Sequence, residues 1–267
     1  MVRGDAMLAV FALRLAAGMI ACLLLLPTAV LNPRFFRTHF LTALALAGVS
    51  LALLRDRVEW PLLLWLSTAL VLAFVGSLVW GFEGAPGGRM FIVLTTLALA
   101  GSLGWLSMSS ARTGSISAGP ITVAYASGSY AFLLGDATSA ALLGSAVTAM
   151  LLGHSYLIAP TMSLTPLLRL LLVLAITLFT RLVVDGYALG YWTAAQPSVS
   201  VNRDILLWLP VRWLVGFAAP LGLDWMAWQA TRIRSTQSAT GILYVVVIFC
   251  VLGETISLLL RGSGATL

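Results

Sequence analysis

The chain is divided into eight runs of predominantly apolar residues, and short clusters of charge, proline or glycine separate each run from the next. A bilayer core about 30 Å thick takes roughly twenty apolar residues per helix, and the runs have that length. They fall at about 7–31, 37–54, 60–82, 90–108, 135–158, 165–190, 206–230 and 240–261. The breaks have physical causes. Asn32-Pro33-Arg34, Arg55-Asp56-Arg57 and the stretch from Glu83 to Arg89 are turn formers and charges that hydrocarbon rejects. Pro160 and Pro166 bracket the turn after the fifth run, and Pro220 is expected to kink the seventh. The reading is an all-α fold, a polytopic transmembrane helix bundle of about eight spans, forming a single membrane domain over residues 1–267.

Composition excludes the soluble alternative. Only 9% of the residues are charged and 60% are apolar, too little charge to keep a core of this size dissolved. All fifteen basic residues are arginines, scattered singly or in pairs. A nucleic-acid reader needs a dense basic stripe, so the net charge of +6 is read as arginines snorkelling to headgroups. Counted over the loops, the arginines divide evenly between the two faces, which leaves orientation open. The apolar run after the charged N-terminus is longer than a signal-peptide core and is read as a retained first span. Ser109 to Leu134, rich in Ser, Gly and Ala, is read as an interfacial or re-entrant loop, with a ninth span over Ile121–Leu134 as the alternative.

The fifth run carries two stripes of small residues at four-residue spacing. Ala140, Gly144 and Thr148 form one, and Ala141, Ser145, Ala149 and Gly153 the other. In lipid, small residues let helix backbones approach closely where no hydrophobic drive exists. This run is therefore expected at the centre of the bundle. Cys22 and Cys250 lie singly in apolar runs and are read as packing residues, with no spacing that suggests a metal site.

Two polar sets stand out. At the face opposite the N-terminus, His154 and Tyr156 end the fifth span, His39 begins the second, and Gln237 lies in the polar run joining the last two. Three readings compete there: side chains bonded to neighbouring helices or headgroups, donors to a quinone carbonyl, or axial ligands of one haem b. Nearer the N-terminal face lie Arg14, Asp136, Arg181, Asp185, Arg212 and Glu254. Ionisable groups at such depth pair or line water and mark a candidate site. Arg181 and Asp185, four residues apart, share a helix face, and Glu254 is flanked almost wholly by apolar side chains. Asp224 is expected at the interface. No G-x-S-x-G, H-E-x-x-H or phosphate loop supports hydrolytic chemistry, and no catalytic residue is assigned.

Leu252-Gly253-Glu254 resembles the last helix of the quinol-oxidising membrane anchors of the dimethyl-sulfoxide-reductase and polysulfide-reductase type. The resemblance covers about twenty residues. It implies about eight helices and menaquinol binding without haem. Those anchors carry an arginine a few residues after the Gly-Glu, where this chain has Ser257. The expectation is a membrane-embedded subunit of an electron-transfer complex in a bacterial cytoplasmic membrane, contacting quinone or seating other membrane subunits, and not an enzyme alone. The alternatives are a structural or assembly subunit of a respiratory or photosynthetic complex, and a small-solute or proton-coupled transporter.

Overall fold

The computed structural model describes residues 2–55, 59–82, 84–117, 129–159, 161–195 and 203–262, and these form helices with no strand among them. In chain order they are α1 (Val2–Leu23), α2 (Pro33–Leu54), α3 (Trp60–Val79), α4 (Gly88–Ser117), α5 (Ser129–Ile158), α6 (Thr165–Ala195), α7 (Arg203–Trp213), α8 (Ala219–Arg232) and α9 (Thr236–Gly262). A π-helical turn, Leu214–Ala218, joins α7 to α8, so the two form one interrupted rod. Seven of the other helices are long and apolar enough to cross a membrane. The protein is an all-α polytopic helical bundle.

The helix ends follow local chemistry. The first apolar run continues to Leu31, but α1 stops at Leu23, four residues before Pro27. A proline at that distance removes the next helical hydrogen bond and clashes with the carbonyl of Leu23. The chain turns instead, with Leu24, Leu25 and Leu26 donating to Ala21, Cys22 and Leu23. α2 begins four residues earlier than hydropathy alone indicates, because Asn32 caps it. Its Oδ1 accepts from the Arg34 N–H at 2.9 Å, with Pro33 in the first turn. The stretch read as a loop over Ser109–Leu134 is shorter at both ends, since α4 runs to Ser117 and α5 starts at Ser129. The remainder of that stretch lies outside the described residues. The helical hydrogen-bond pattern changes one turn before Pro220, in the π turn Leu214–Ala218. Pro220 itself sits at the start of α8, immediately after the π turn.

α1 and α5 form the central pair. Their membrane-crossing windows are 61% and 56% buried, against 33% for α2, α3 and α6. Arg14 meets Asp136 and Gly18 meets Ala140 and Gly144, so the two helices run parallel. α2, α3 and α4 alternate beside α1, and α6 and α9 run antiparallel to α5, as Gly153 against Thr240 and Ser139 against Glu254 show. α4 therefore ends, and α5 begins, on the face that carries the start of α1. Phe74, Phe179, Leu214 and Ile248 are exposed on the outside, an apolar surface suited to acyl chains.

The α1–α5 contact explains the first stripe of small residues. A Cβ on Gly144 would lie 2.1 Å from the Gly18 carbonyl carbon, and one on Gly18 would lie 1.8 Å from Ala140 O. The backbones touch, and only glycine fits on either side. A second crossing of the same kind joins the π turn to α9, where a Cβ on Gly253 would meet Gly216 Cα at 2.6 Å.

Candidate functional site

The intramembrane charges expected from the sequence converge on one cluster near the face that carries the start of α1. Glu254, from α9, is at its centre. Its Oε1 accepts from Arg181 Nε at 3.2 Å and from Arg212 Nη2 at 3.2 Å. Its Oε2 accepts from Ser139 Oγ and from Arg181 Nη2 at 3.5 Å, and lies 3.6 Å from Arg14 Nη1. Asp185 bridges two of these arginines, with Arg181 Nη1 at 3.0 Å and Arg212 Nη2 at 2.6 Å. Asp136 pairs with Arg14 Nη2 and accepts from Ser107 Oγ. Arg14 also donates to Ser139 Oγ at 3.3 Å, and Arg181 to Ser257 Oγ at 3.1 Å.

The side chains come from α1, α4, α5, α6, α7 and α9, and three arginines face three carboxylates. All six ionisable residues are buried, Glu254 and Arg14 completely. Isolated charges in such a place would be prohibitive. The cluster avoids that cost by formal neutrality and by geometry, because every carboxylate meets at least one guanidinium. Buried pairs of this kind add little net stability over an apolar core, but loss of one partner strands the others. The two glycine crossings make room for it. Gly216 and Gly253 hold the π turn against α9, and a Cβ on either would approach Arg212 Nη1 to 3.0 or 3.1 Å. The Arg212 guanidinium then lies over the Phe217 ring, 4.5 Å from its centroid.

Ser107 and Ser139 were not singled out by sequence, and Ser257 only as the residue that stands where the quinol-oxidising anchors carry an arginine. Two of them carry a readable signal, since Ser139 and Ser257 each follow a cluster acid, Asp136 and Glu254, by three residues and so share its helix face. Ser107 comes from α4 and has no such local mark. Asp224, expected at the interface, is 4% exposed and its Oδ1 has no hydrogen-bond partner. Helical spacing is the reason, for Pro220, Asp224, Ala227 and Thr231 form the inward face of α8 while Trp225 and Met226 point out.

The other predicted set does not assemble. The parallel run of α1 and α5 puts His154 and the start of α2 on one face, as expected, yet His154 and Gln237 are exposed while His39 is buried. His39 Nδ1 lies 2.9 Å from the Phe35 carbonyl, and its ring leans on Phe35 at 4.4 Å between centroids. Its Nε2 is sealed in without a partner, so the two imidazoles do not present to a common ligand. Tyr156 is fully buried and donates to the Ser163 carbonyl at 2.5 Å, fastening the end of α5 to the following turn. Tyr156→Phe should cost about 1 kcal/mol in a denaturant titration and leave any bound quinone in place. Loss of a bound quinone without loss of stability would instead make Tyr156 a ligand.

A groove of about 390 Å³ runs along the flank of α1, α4 and α5. Gly18, Ala21, Ala100 and Gly104 line it, Leu24 and Leu25 close one end, and Ser107 and Asp136 form the other. Among the described residues no three His, Cys, Asp or Glu side chains are grouped as metal ligands. The fold and this site define a multi-pass helical membrane protein with a buried, charge-compensated core. The chain matches no protein-family model, no curated protein and no solved structure.

Proposed function

We propose that the chain is a membrane-embedded subunit of an electron-transfer complex in a bacterial cytoplasmic membrane, an anchor for other subunits and not an enzyme alone. One observation carries the reading. The Gly253-Glu254 pair, on which the resemblance to quinol-oxidising anchors rests, is the structural hub of the protein: Gly253 meets the π turn, and Glu254 gathers arginines from three other helices. The arginine that such anchors carry further along the last helix has Ser257 in its place, and Ser257 accepts from Arg181 of α6. The positive charge is supplied across the interface and not along the helix.

Contact with quinone is the second part of the reading, and the groove on α1, α4 and α5 favours it over the histidine face. An isoprenoid tail suits a narrow apolar groove open to lipid, and a quinone head would reach the hydroxyl and carboxylate at its polar end. Purification from native membranes tests both parts, by identifying co-purified subunits, extracting quinone and recording a visible spectrum. The expected result is partner subunits together with quinone that is lost in Gly104→Leu, which fills the groove. Partners without quinone would retain the anchor and remove the quinone contact. A preparation with neither would overturn both.

A further inference from the structure

The rod formed by α7 and α8 is interrupted where the π turn Leu214–Ala218 meets Pro220. A π turn inside a helix is rare and falls most often at functional sites and bends. Here Ala219 donates to the Leu214 carbonyl, five residues back. Pro220 has no N–H to give, so a carbonyl of the turn loses its intrahelical partner. The two halves of the rod are held differently. α8 buries a continuous face of Pro220, Asp224, Ala227 and Thr231. Of the described side chains of α7, those of residues 208–213, Arg212 is the only one buried, while Trp208, Pro210 and Val211 are exposed. Leu209 packs, partly buried, against Ile256 and Leu260, and Trp213 rests beside Gly186 of α6, its Cη2 3.5 Å from where a Cβ would be. At 11 residues with Pro210 inside it, α7 is too short to be a firm helix without such packing.

Arg212 is also the most lightly held of the cluster's two arginines that meet Asp185. Its Nη2 alone makes the contacts, with Asp185 at 2.6 Å and Glu254 at 3.2 Å, and its Nε and Nη1 have no hydrogen-bond partner. Arg181 engages all three of its nitrogens, Nε with Glu254, Nη1 with Asp185 and Nη2 with Ser257. With Arg212 withdrawn, Asp185 and Glu254 would both still face Arg181, so α7 can leave without stranding a carboxylate. Two arginines would then answer three acids, and that loss of charge balance holds α7 in place. Between the latch and α8, Gly216 lies backbone to backbone on α9, where a Cβ on Gly253 would meet its Cα at 2.6 Å. With no side chain on either glycine, nothing at this contact blocks rotation.

We infer that α7 is a hinged strap across the ion cluster, with the π turn and Pro220 as its hinge, the Gly216–Gly253 contact as its pivot and Arg212 as its latch. Swinging α7 away from α6 and α9 uncovers Asp185 and Glu254. Spin-label distances on the full chain in lipid nanodiscs read the motion. One pair joins α7 to α3 through Trp208→Cys and Phe74→Cys, and a second joins α8 to α3 through Trp225→Cys and Phe74→Cys. All three sites are exposed, whereas Cys22 and Cys250 are buried and stay unlabelled. In Arg212→Gln the first pair is expected to show a second distance, its population raised about tenfold over wild type, while the second pair is unchanged. An unchanged first pair, or equal broadening of both, overturns the inference. If Arg212→Gln does not accumulate as folded protein, hydrogen exchange of the wild-type chain decides. Amides at 211–213 of α7 are expected to exchange about tenfold faster than those at 256–260 of α9 beside them, and equal protection overturns the inference.

Discussion

Glu254→Gln is expected to lower the stability of the solubilised protein by about 3–5 kcal/mol, the cost of removing one member of a buried ion network. The substitution keeps size and shape, so packing is not the cause. It leaves three guanidinium groups to share Asp136 and Asp185, both of which already have partners. Arg14 retains Asp136 and Ser139, but Arg181 and Arg212 are left with the single carboxylate of Asp185, which already bridges them, so one buried positive charge is uncompensated. Asp136→Asn should cost less, because Arg14 still has Glu254 at 3.6 Å and the Ser139 hydroxyl. Denaturant titration of the purified variants reads the order directly. A loss for Asp136→Asn equal to or larger than that for Glu254→Gln would remove Glu254 from the centre of the network.

Gly144→Ala should cost about 3 kcal/mol, at the upper end of the usual overpacking range. The new methyl would lie 2.1 Å from a backbone carbon of Gly18, and backbone cannot yield as the tip of a side chain can. α1 and α5 must separate along the crossing that also brings Arg14 to Asp136, so damage at the glycines propagates into the ion cluster. Gly144→Leu should abolish accumulation of folded protein. By contrast Gly241→Ala, where an added Cβ meets nothing within 4 Å, should leave stability unchanged and serves as the control. Comparable folded yields for the Gly144 and Gly241 variants would show that the close crossing is not needed.

The all-α polytopic bundle was legible because hydrocarbon imposes length and apolarity on every crossing, and charge or proline marks each break; seven of the eight expected runs form helices long and apolar enough to cross, and the eighth is the interrupted α7–α8 segment. The central place of α5 could also be read, from the row Ala140, Gly144 and Thr148. Its partner could not, since a stripe of small residues says that something packs there and not what; Gly18 is recognisable only once α1 lies against it. The ionisable residues gathered as expected, since buried charge must find opposite charge. Which arginine answers which acid depends on six helices at once, and only the Arg181–Asp185 pair lies within one helix. Helix ends were misread where apolarity conflicts with backbone rules, as at Leu23 before Pro27. Asp224 was read by its depth along α8 alone, and the face it occupies buries it. His39 and His154 share a side of the bundle, but helix rotation buries one and exposes the other.

The most direct test of the charge-compensated core is the stability of Arg181→Gln, Glu254→Gln and the double variant, measured in one detergent by one titration. The double variant leaves two self-contained pairs, Arg14 with Asp136 and Arg212 with Asp185. The account predicts that it is more stable than either single variant, with a coupling energy of about 2 kcal/mol or more between the two sites. Losses that simply add, or single variants as stable as wild type, would contradict it.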